Sequence, residues 1–519
     1  MIRATPILRA YAAFRGRLLA RMDPARTQRR QLQRLVREAR TTRFGRDHGF
    51  DEIRSVEDFQ RRVPLRRYED FWNTYWKDSF PTLEDVTWPG RIPYFAVTSG
   101  TTTGKQKYIP VSRRMVSANK RAVLELLTFH LAARPDSRVL DGKNFMLGGS
   151  TAMVEEAPGI FAGDLSGIAA REVPRWARPF YFPPPDLARI ADWEEKMAAL
   201  GPRSLEEPIR TVGGTTNWML LFFDQLGRLR PETPGRLADL YPALDLVVYG
   251  GVSFAPYRGR FERLLEGSRA ELREVYPASE GFVAVADRGP GEGLRMLLDN
   301  GLFFEFVRTS DLQSATPPRF WIGNVERDVD YAVVLSSCAG VWAYVLGDTV
   351  RFVDLDPPRL LISGRTSYSL SAFGEHLIGE EIERAVLDAA RKAIGQPMND
   401  FSVGPVFNET GGGTPGGHLY VVEFAGTLPQ PEAVRAFQRV LDERLSELNQ
   451  DYRDHRAGGF GMDPPKAVAA PEGTFAAWMR DRGKLGGQHK VPRVMNEPGR
   501  IEELARYAQG PAAASGGTA

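Results

Sequence analysis

Residues Tyr94 to Pro110 read YFAVTSGTTTGKQKYIP. An apolar run, Tyr94 to Val97, enters a loop of Thr, Ser and Gly, and Lys105 and Lys107 precede a second short apolar run. Strand, loop and strand in this order suit the cradling of a polyphosphate. Gly100 and Gly104 let the backbone turn so that several N–H groups point the same way. Thr98, Ser99, Thr101, Thr102 and Thr103 add hydroxyl donors, and the two lysines add charge without fixed direction. The loop is not a Walker A motif, which needs four residues between its glycines and a Ser or Thr after the Lys. Three residues separate Gly100 from Gly104, and Gln106 follows Lys105. A polar turn between strands has a similar composition, but two of only ten lysines sit here.

The chain of 519 residues has room for two or three domains. With 42% hydrophobic and 26% charged residues it reads as an ordinary globular protein. A net charge of +3, evenly spread, gives no case for nucleic acid as a partner. The lone cysteine, Cys338, excludes an intramolecular disulfide and a cysteine metal site, and its place after the apolar run Tyr331 to Leu335 predicts a buried thiol. The six histidines form no ligand pair at helical spacing. No apolar run approaches membrane-spanning length, and a cytoplasmic location is the default expectation.

The N-terminal segment to Arg46 is rich in Arg and poor in acids. Ile7, Leu8, Tyr11, Phe14, Leu18 and Leu19 recur at helical spacing. A transit peptide or a membrane-surface helix has the same pattern. A helix docked on the main domain is the expected reading, because the pattern continues through Leu32 and Val36. Ser55 with Asp58 predicts a capped helix start, and Ser112 caps a helix expected to reach about Ala133.

Short apolar strands then alternate with helices. Strands are expected at 145–147, 209–212, 246–249, 271–276, 282–286, 303–307, 331–335 and 350–353, and helices at 187–200, 216–226 and 256–265. This alternation predicts an α/β fold with covered sheet faces. After about residue 362 the composition changes. A helix at 378–394, strands at 401–407 and 418–424 and a helix at 431–448 predict a separate α+β unit. The expected organisation is a large N-terminal multi-sheet α/β domain over 1–362, a smaller mobile C-terminal α+β domain over 363–509, and a disordered tail over 510–519.

Three further segments carry candidate chemistry. Tyr276 to Gly281 reads YPASEG at a strand end, where open α/β sheets bind ligands. Glu280 there suits a magnesium ion between phosphates, Ser279 suits a donor and Tyr276 suits stacking on a base. Tyr344 to Asp348 reads YVLGD, another strand end, with a carboxylate suited to two ribose hydroxyls. Residues 482–493 read RGKLGGQHKVPR and carry Lys484 and Lys490. A mobile lysine suits the neutralising of charge that develops on a phosphate. Each of these, alone, reads equally as a surface turn or a flexible segment. Trp218, Met219 and Phe222 are candidates for an apolar pocket, with plain core packing as the alternative.

Taken in order, the four segments resemble the acyl-adenylate-forming enzymes. More closely, they resemble the Gretchen Hagen acyl-acid amido synthetases, the auxin-responsive promoter family of plants and its bacterial relatives. The resemblance runs from about Thr27 to Asn496 and includes FGRDHGF at 44–50 and VPLRRYED at 63–70. Thr98 to Lys107 resembles the family's phosphate-binding signature, Tyr276 to Gly281 its Tyr-x-x-Ser-Glu-Gly signature and Tyr344 to Asp348 its third nucleotide motif. Ala343 and Val345 stand where the plant pattern usually has Arg.

The resemblance implies an ATP-dependent ligase with Mg2+. Gly250 and Gly251 would hold adenine, Asp348 the ribose, Arg365 would sit at the hinge between domains, and Lys490 would aid adenylation. A small-molecule carboxylic acid would be adenylated and its acyl group passed to the amine of an amino acid. An acyl-CoA ligase with a thiol acceptor and a nucleotide-binding regulator without turnover are the rival readings.

Overall fold

In the computed structural model the described residues are 5–98, 106–148, 151–190, 193–233, 235–250, 254, 258–312, 314–365, 369–396, 398–408, 414, 416–457, 461–482, 492–497 and 499–510. The chain divides into two compact units, one of 1–98 with 107–366 and the other of 99–106 with 367–519.

The larger unit is built on a sheet of twelve described strands. At one end of it Tyr181–Phe182, Lys143–Leu147, Ile209–Thr215, Leu246–Gly250 and Glu271–Ala278 run parallel, joined by helical crossovers. Gly281–Val285, Leu294–Met296, Pro358–Arg365, Tyr344–Leu355, Asp330–Ser337, Leu302–Arg308 and Phe320–Trp321 extend it as antiparallel neighbours. Phe303, Phe304, Phe306, Tyr331 and Val333 to Leu335 are wholly buried between these strands and the N-terminal helices. That agrees with their near-continuous apolar sequence, since a strand covered on both faces loses its alternation. A second sheet orders Lys107–Val111, Tyr94–Thr98, Ile160–Gly163 and Met153–Ala157.

The caps fall where the sequence puts them. Ser55 and Asp58 form a reciprocal capping box on Val56–Arg62. Ser112 accepts from Met115 N at the start of the helix Arg113–Ala133. Cys338 is buried, and burial pushes its thiol up to about 12, so it acts as a small apolar group. The N-terminal helix Thr5–Ala20 docks on Arg113–Ala133 through Leu8 and Ala12 against Leu127 and Leu131. Of the apolar residues that define its sequence pattern, Leu8 and Leu19 are buried, whereas Ile7, Phe14 and Leu18 are exposed.

The smaller unit carries an antiparallel pair, Met398–Phe407 and Gly416–Phe424, with Lys466–Ala470 added in parallel. Helices Gly379–Ala389 and Pro431–Leu448 pack beside it, with Phe401, Tyr420, Phe437, Leu441 and Leu445 in a common core. Its centre holds a polar pair, Glu375 with His418 at 2.9 Å. Burial pushes the Glu375 carboxyl up, but the His418 hydrogen bond and charge and nearby backbone N–H donors outweigh it and hold the group well below the usual range. The tail at 511–519 lies outside the described residues.

Candidate active site

The strands Leu246–Gly250 and Glu271–Ala278 end at the same edge of the central sheet, with Gly250 paired to Val275. A Cβ on Gly250 would come within 2.4 Å of the Val275 carbonyl oxygen, so the two strands can approach only with glycine there. Beyond Ala278 the chain reverses through Ser279 and Glu280 into Gly281–Val285. A Cβ on Gly281 would meet Leu302 at 2.5 Å, and this close approach seats the turn against the core. Ser279 is half-buried at the turn, whereas Glu280 is buried.

Tyr344 to Asp348 opens the twelve-residue strand Tyr344–Leu355 rather than ending a strand. Opposite it, Ala332 and Val334 pair with Thr349 and Val345, so a two-residue step faces a four-residue step. The bulge contains Leu346, Gly347 and Asp348, with Gly347 at φ +101°. Bulges re-aim side chains and bend sheets, and this one turns Asp348 toward Tyr276. The Tyr276 hydroxyl donates to Asp348 Oδ2 at 2.6 Å. Three strands lie between theirs in the sheet order, and a flat sheet would hold them roughly 19 Å apart. The sheet therefore curls at this edge, helped by further register shifts at 282–284, 349–350 and 352–354.

Behind the bulge the backbone is clamped. Arg66 N donates to Ala343 O at 3.0 Å, and Val345 N donates to Arg66 O at 2.9 Å. Ala343 N donates to Ser336 Oγ at 2.8 Å, which helps to hold this alanine at a left-handed φ of +47°. Ala343 and Val345 are both buried, so neither position leaves room for the arginine of the plant pattern. The VPLRRYED segment, conspicuous in the sequence without an evident task, thus braces the motif through Arg66.

The Tyr344 hydroxyl donates to the Glu280 carboxylate. Burial pushes the Glu280 carboxyl up, while its own backbone N–H, Lys107 and the Tyr344 hydroxyl pull the other way and Asp348 adds to the rise. Lys107 is the first residue of its strand, paired with Thr98 across the hairpin, and not a loop residue. Its ammonium lies 5.6 Å from the Tyr68 ring centroid. The Tyr68 hydroxyl accepts from Tyr108 N at 3.0 Å, and burial pushes that phenol up to about 12. Sequence reasoning assigned no role to Tyr68, Arg66 or the Tyr344 hydroxyl. Their signal was only membership in the conspicuous segments.

The structure brings together Lys107, Tyr276, Glu280, Tyr344 and Asp348. Gly250 lies at the same sheet edge as the turn that carries Glu280. Thr98 ends its strand at the mouth of the hairpin, and Arg365 closes Pro358–Arg365 with its backbone paired to Asp348. Ser363 and Gly364 belong to that same strand, where the sequence suggested a hinge. Ser99, Gly100, Thr101, Thr102, Gly104, Gly251 and Lys490 lie outside the described residues. Met219 and Phe222 are wholly buried with Phe145 and Phe182 in a packed cluster, so they fill the core, and only Trp218 of the three is partly exposed. No group of three or more His, Cys, Asp or Glu among the described residues is arranged to hold a metal ion.

Three family models match the chain: the GH3 family N-terminal domain over 18–200, the central domain over 295–365 and the C-terminal domain over 380–499. Together they span well over half of it. The Probable indole-3-acetic acid-amido synthetase GH3.9 of Oryza sativa subsp. japonica is 27% identical over 245 residues, 44% of this chain and 55% of the relative. The Indole-3-acetic acid-amido synthetase GH3.3 of Arabidopsis thaliana is 24% identical over 266 residues, 49% of this chain and 43% of the relative. The chain thus spans about half the length of the curated relatives it matches. Among solved structures, GH3.15 acyl acid amido synthetase superposes with a TM-score of 0.59 at 16% identity, covering 96% of each chain. A 2-Hydroxyisobutyryl-CoA Ligase superposes with a TM-score of 0.56 at 15% identity, covering 93% of this chain and 91% of that one. These likenesses support the fold: a large multi-sheet α/β unit followed by a separate C-terminal unit.

Proposed function

Because the chain belongs to the GH3 family, we propose that it is an ATP-dependent acyl-acid amido synthetase. A carboxylate oxygen of the acid attacks the α-phosphorus of ATP, and pyrophosphate leaves. The amine nitrogen of an amino acid then attacks the acyl carbon of the acyl-adenylate. A C–N bond forms, the C–O bond to phosphate breaks, AMP departs and the nitrogen loses a proton. The curated relatives named as amido synthetases support this reading.

The observation that carries it is the pairing of two carboxylates with two tyrosines at one curled sheet edge. Asp348 is oriented by Tyr276 and Glu280 by Tyr344. A carboxylate held in a fixed orientation presents acceptor oxygens in the geometry that a ribose diol requires. Glu280 fits Mg2+ as magnesium is usually held beside a nucleotide, by one or two carboxylates with phosphate oxygens and waters completing the shell. The ion would offset phosphate charge there. The hairpin mouth from Thr98 to Lys107, with Ser99, Gly100, Thr101, Thr102 and Gly104, would take the phosphates, and Gly250 and Gly251 the adenine. Ser279 would donate to the nucleotide, and Arg365 would act at the junction of the units. Residues 1–362 would bind nucleotide and acid, and 363–509 would supply Lys490 to the adenylation step. Trp218 remains the pocket candidate with exposed surface. A cytoplasmic working place belongs to the same reading. Among the described residues no helix is long and apolar enough to cross a membrane.

The likeness to a CoA ligase makes thiol transfer the reading to test against. Incubation of the purified protein with ATP, Mg2+, a panel of carboxylic acids and either mixed amino acids or coenzyme A separates the two. Mass spectrometry of an amide, with equimolar AMP, is the expected result. A thioester without amide would reassign the second step.

A further inference from the structure

The helix Thr5–Ala20 uses one face to dock and, among the described residues, leaves another without a partner. Leu8, Ala12, Arg15 and Leu19 point into the protein. Arg15 is consumed there by Glu125 and Asp299. About 110° round the helix from that face, Ile7, Phe14 and Leu18 are 71%, 62% and 46% exposed. Spacings of seven and four residues put all three within about 40° of one another on the helix surface. Surface helices ordinarily turn large apolar side chains inward, and a contiguous exposed stripe marks an interaction site.

The surroundings of the stripe are basic. Arg17 and Arg21 are exposed on and beside the helix, and the first acid in the chain is Asp23. The remaining exposed positions along the helix are mainly alanines, Ala10, Ala13 and Ala20, which let a flat surface come close. We propose that this face is an interfacial anchor that lays the helix onto an anionic lipid bilayer. Ile7, Phe14 and Leu18 enter the boundary between headgroups and acyl chains, and the arginines meet the lipid phosphates.

A second copy of the chain fits this face less well. Two-fold packing of the helix on itself would set arginine against arginine with no acid to answer. Three side chains also fall short of the roughly 800 Å2 per partner that a stable pair of proteins buries.

The test is co-sedimentation of the full chain with sucrose-loaded vesicles, either pure phosphatidylcholine or phosphatidylcholine with a quarter phosphatidylglycerol, at 0.1 M NaCl. The expected result is at least fivefold more protein bound to the anionic vesicles, falling to the neutral-vesicle level in 0.5 M NaCl. The exposed double substitution Phe14→Ser with Leu18→Ser should remove at least four-fifths of the binding without moving the melting temperature by more than a degree. Should that variant melt early, Arg17→Glu with Arg21→Glu is the second probe, expected to abolish anionic preference. Equal binding to both vesicle types, or undiminished binding by a folded variant, would overturn the proposal. A concentration-dependent dimer in size-exclusion chromatography that the Phe14 and Leu18 substitutions dissolve would overturn it too, assigning the face to a second copy.

Discussion

The Tyr276 hydroxyl and the Asp348 carboxylate, 72 residues apart, are joined by a 2.6 Å hydrogen bond. Substituting Tyr276→Phe removes the donor while keeping the ring. A hydrogen bond to a charged group contributes about 1.5–3 kcal/mol, so ATP affinity measured by calorimetry should fall about tenfold, and further in Asp348→Ala. Unchanged nucleotide affinity in both variants would remove the pair from the nucleotide site.

Glu280 sets function against stability. Its carboxylate is buried, with the Tyr344 hydroxyl and the Lys107 charge as its partners. Glu280→Gln keeps the shape and drops the charge. Without nucleotide the variant should melt higher, by an amount on the order of 1–3 kcal/mol. Its adenylation rate should fall by about 100-fold or more. Tyr344→Phe should do the reverse to stability, leaving the carboxylate without its hydroxyl donor. Scanning calorimetry and steady-state rates on the two variants check both signs.

Glu274, paired with Tyr249 on the adjoining strand, gives a pH dependence. Burial pushes its carboxyl up to about 7. The folded state therefore favours the neutral acid. Its contribution to stability is complete below the ordinary carboxylate pKa and is lost as pH rises toward 7, then stays flat. The loss is on the order of 3 kcal/mol. Unfolding midpoints in urea between pH 4.5 and 8 should decline for the wild type and flatten in Glu274→Gln. Parallel profiles for the two would contradict this assignment.

Much of this was legible in the sequence where the signal is local. The Ser112 cap and a run of helical period point to the helix that the structure has at Arg113–Ala133. The strand Met153–Ala157 was not legible, because Glu155 and Glu156 interrupt its apolar pattern at the rim of a small sheet. Pro358–Arg365 was hidden by Pro357-Pro358, which reads as a turn, and by Ser363-Gly364-Arg365, which reads as a hinge. Asp348 was identified as chemistry, but its partner was not. The contact with Tyr276 depends on a bulge and on curling of the sheet, properties of assembled strands rather than of any one of them. Met219 and Phe222 are buried in a packed cluster, and helical spacing marks the buried face of a helix as readily as a pocket wall.

The proposed function gives Lys490 a part in the adenylation step alone. Lys490→Ala should slow adenylation by about 100-fold or more, while ATP affinity shifts by less than about threefold, because a group that acts on developing charge adds little to ground-state binding. Single-turnover rates and equilibrium binding on the same preparation separate the two. An equal loss in both would place Lys490 in ground-state binding instead.

The most direct test of the central claim is ATP–pyrophosphate exchange with the purified chain, Mg2+ and a panel of carboxylic acids, in the absence of any amine or thiol. Exchange of radiolabelled pyrophosphate into ATP that depends on one class of acid, and that disappears in Glu280→Gln, is the predicted result. ATP binding at the expected affinity with no exchange from any acid in the panel would contradict it, leaving a protein that holds the nucleotide and does not activate a carboxylate.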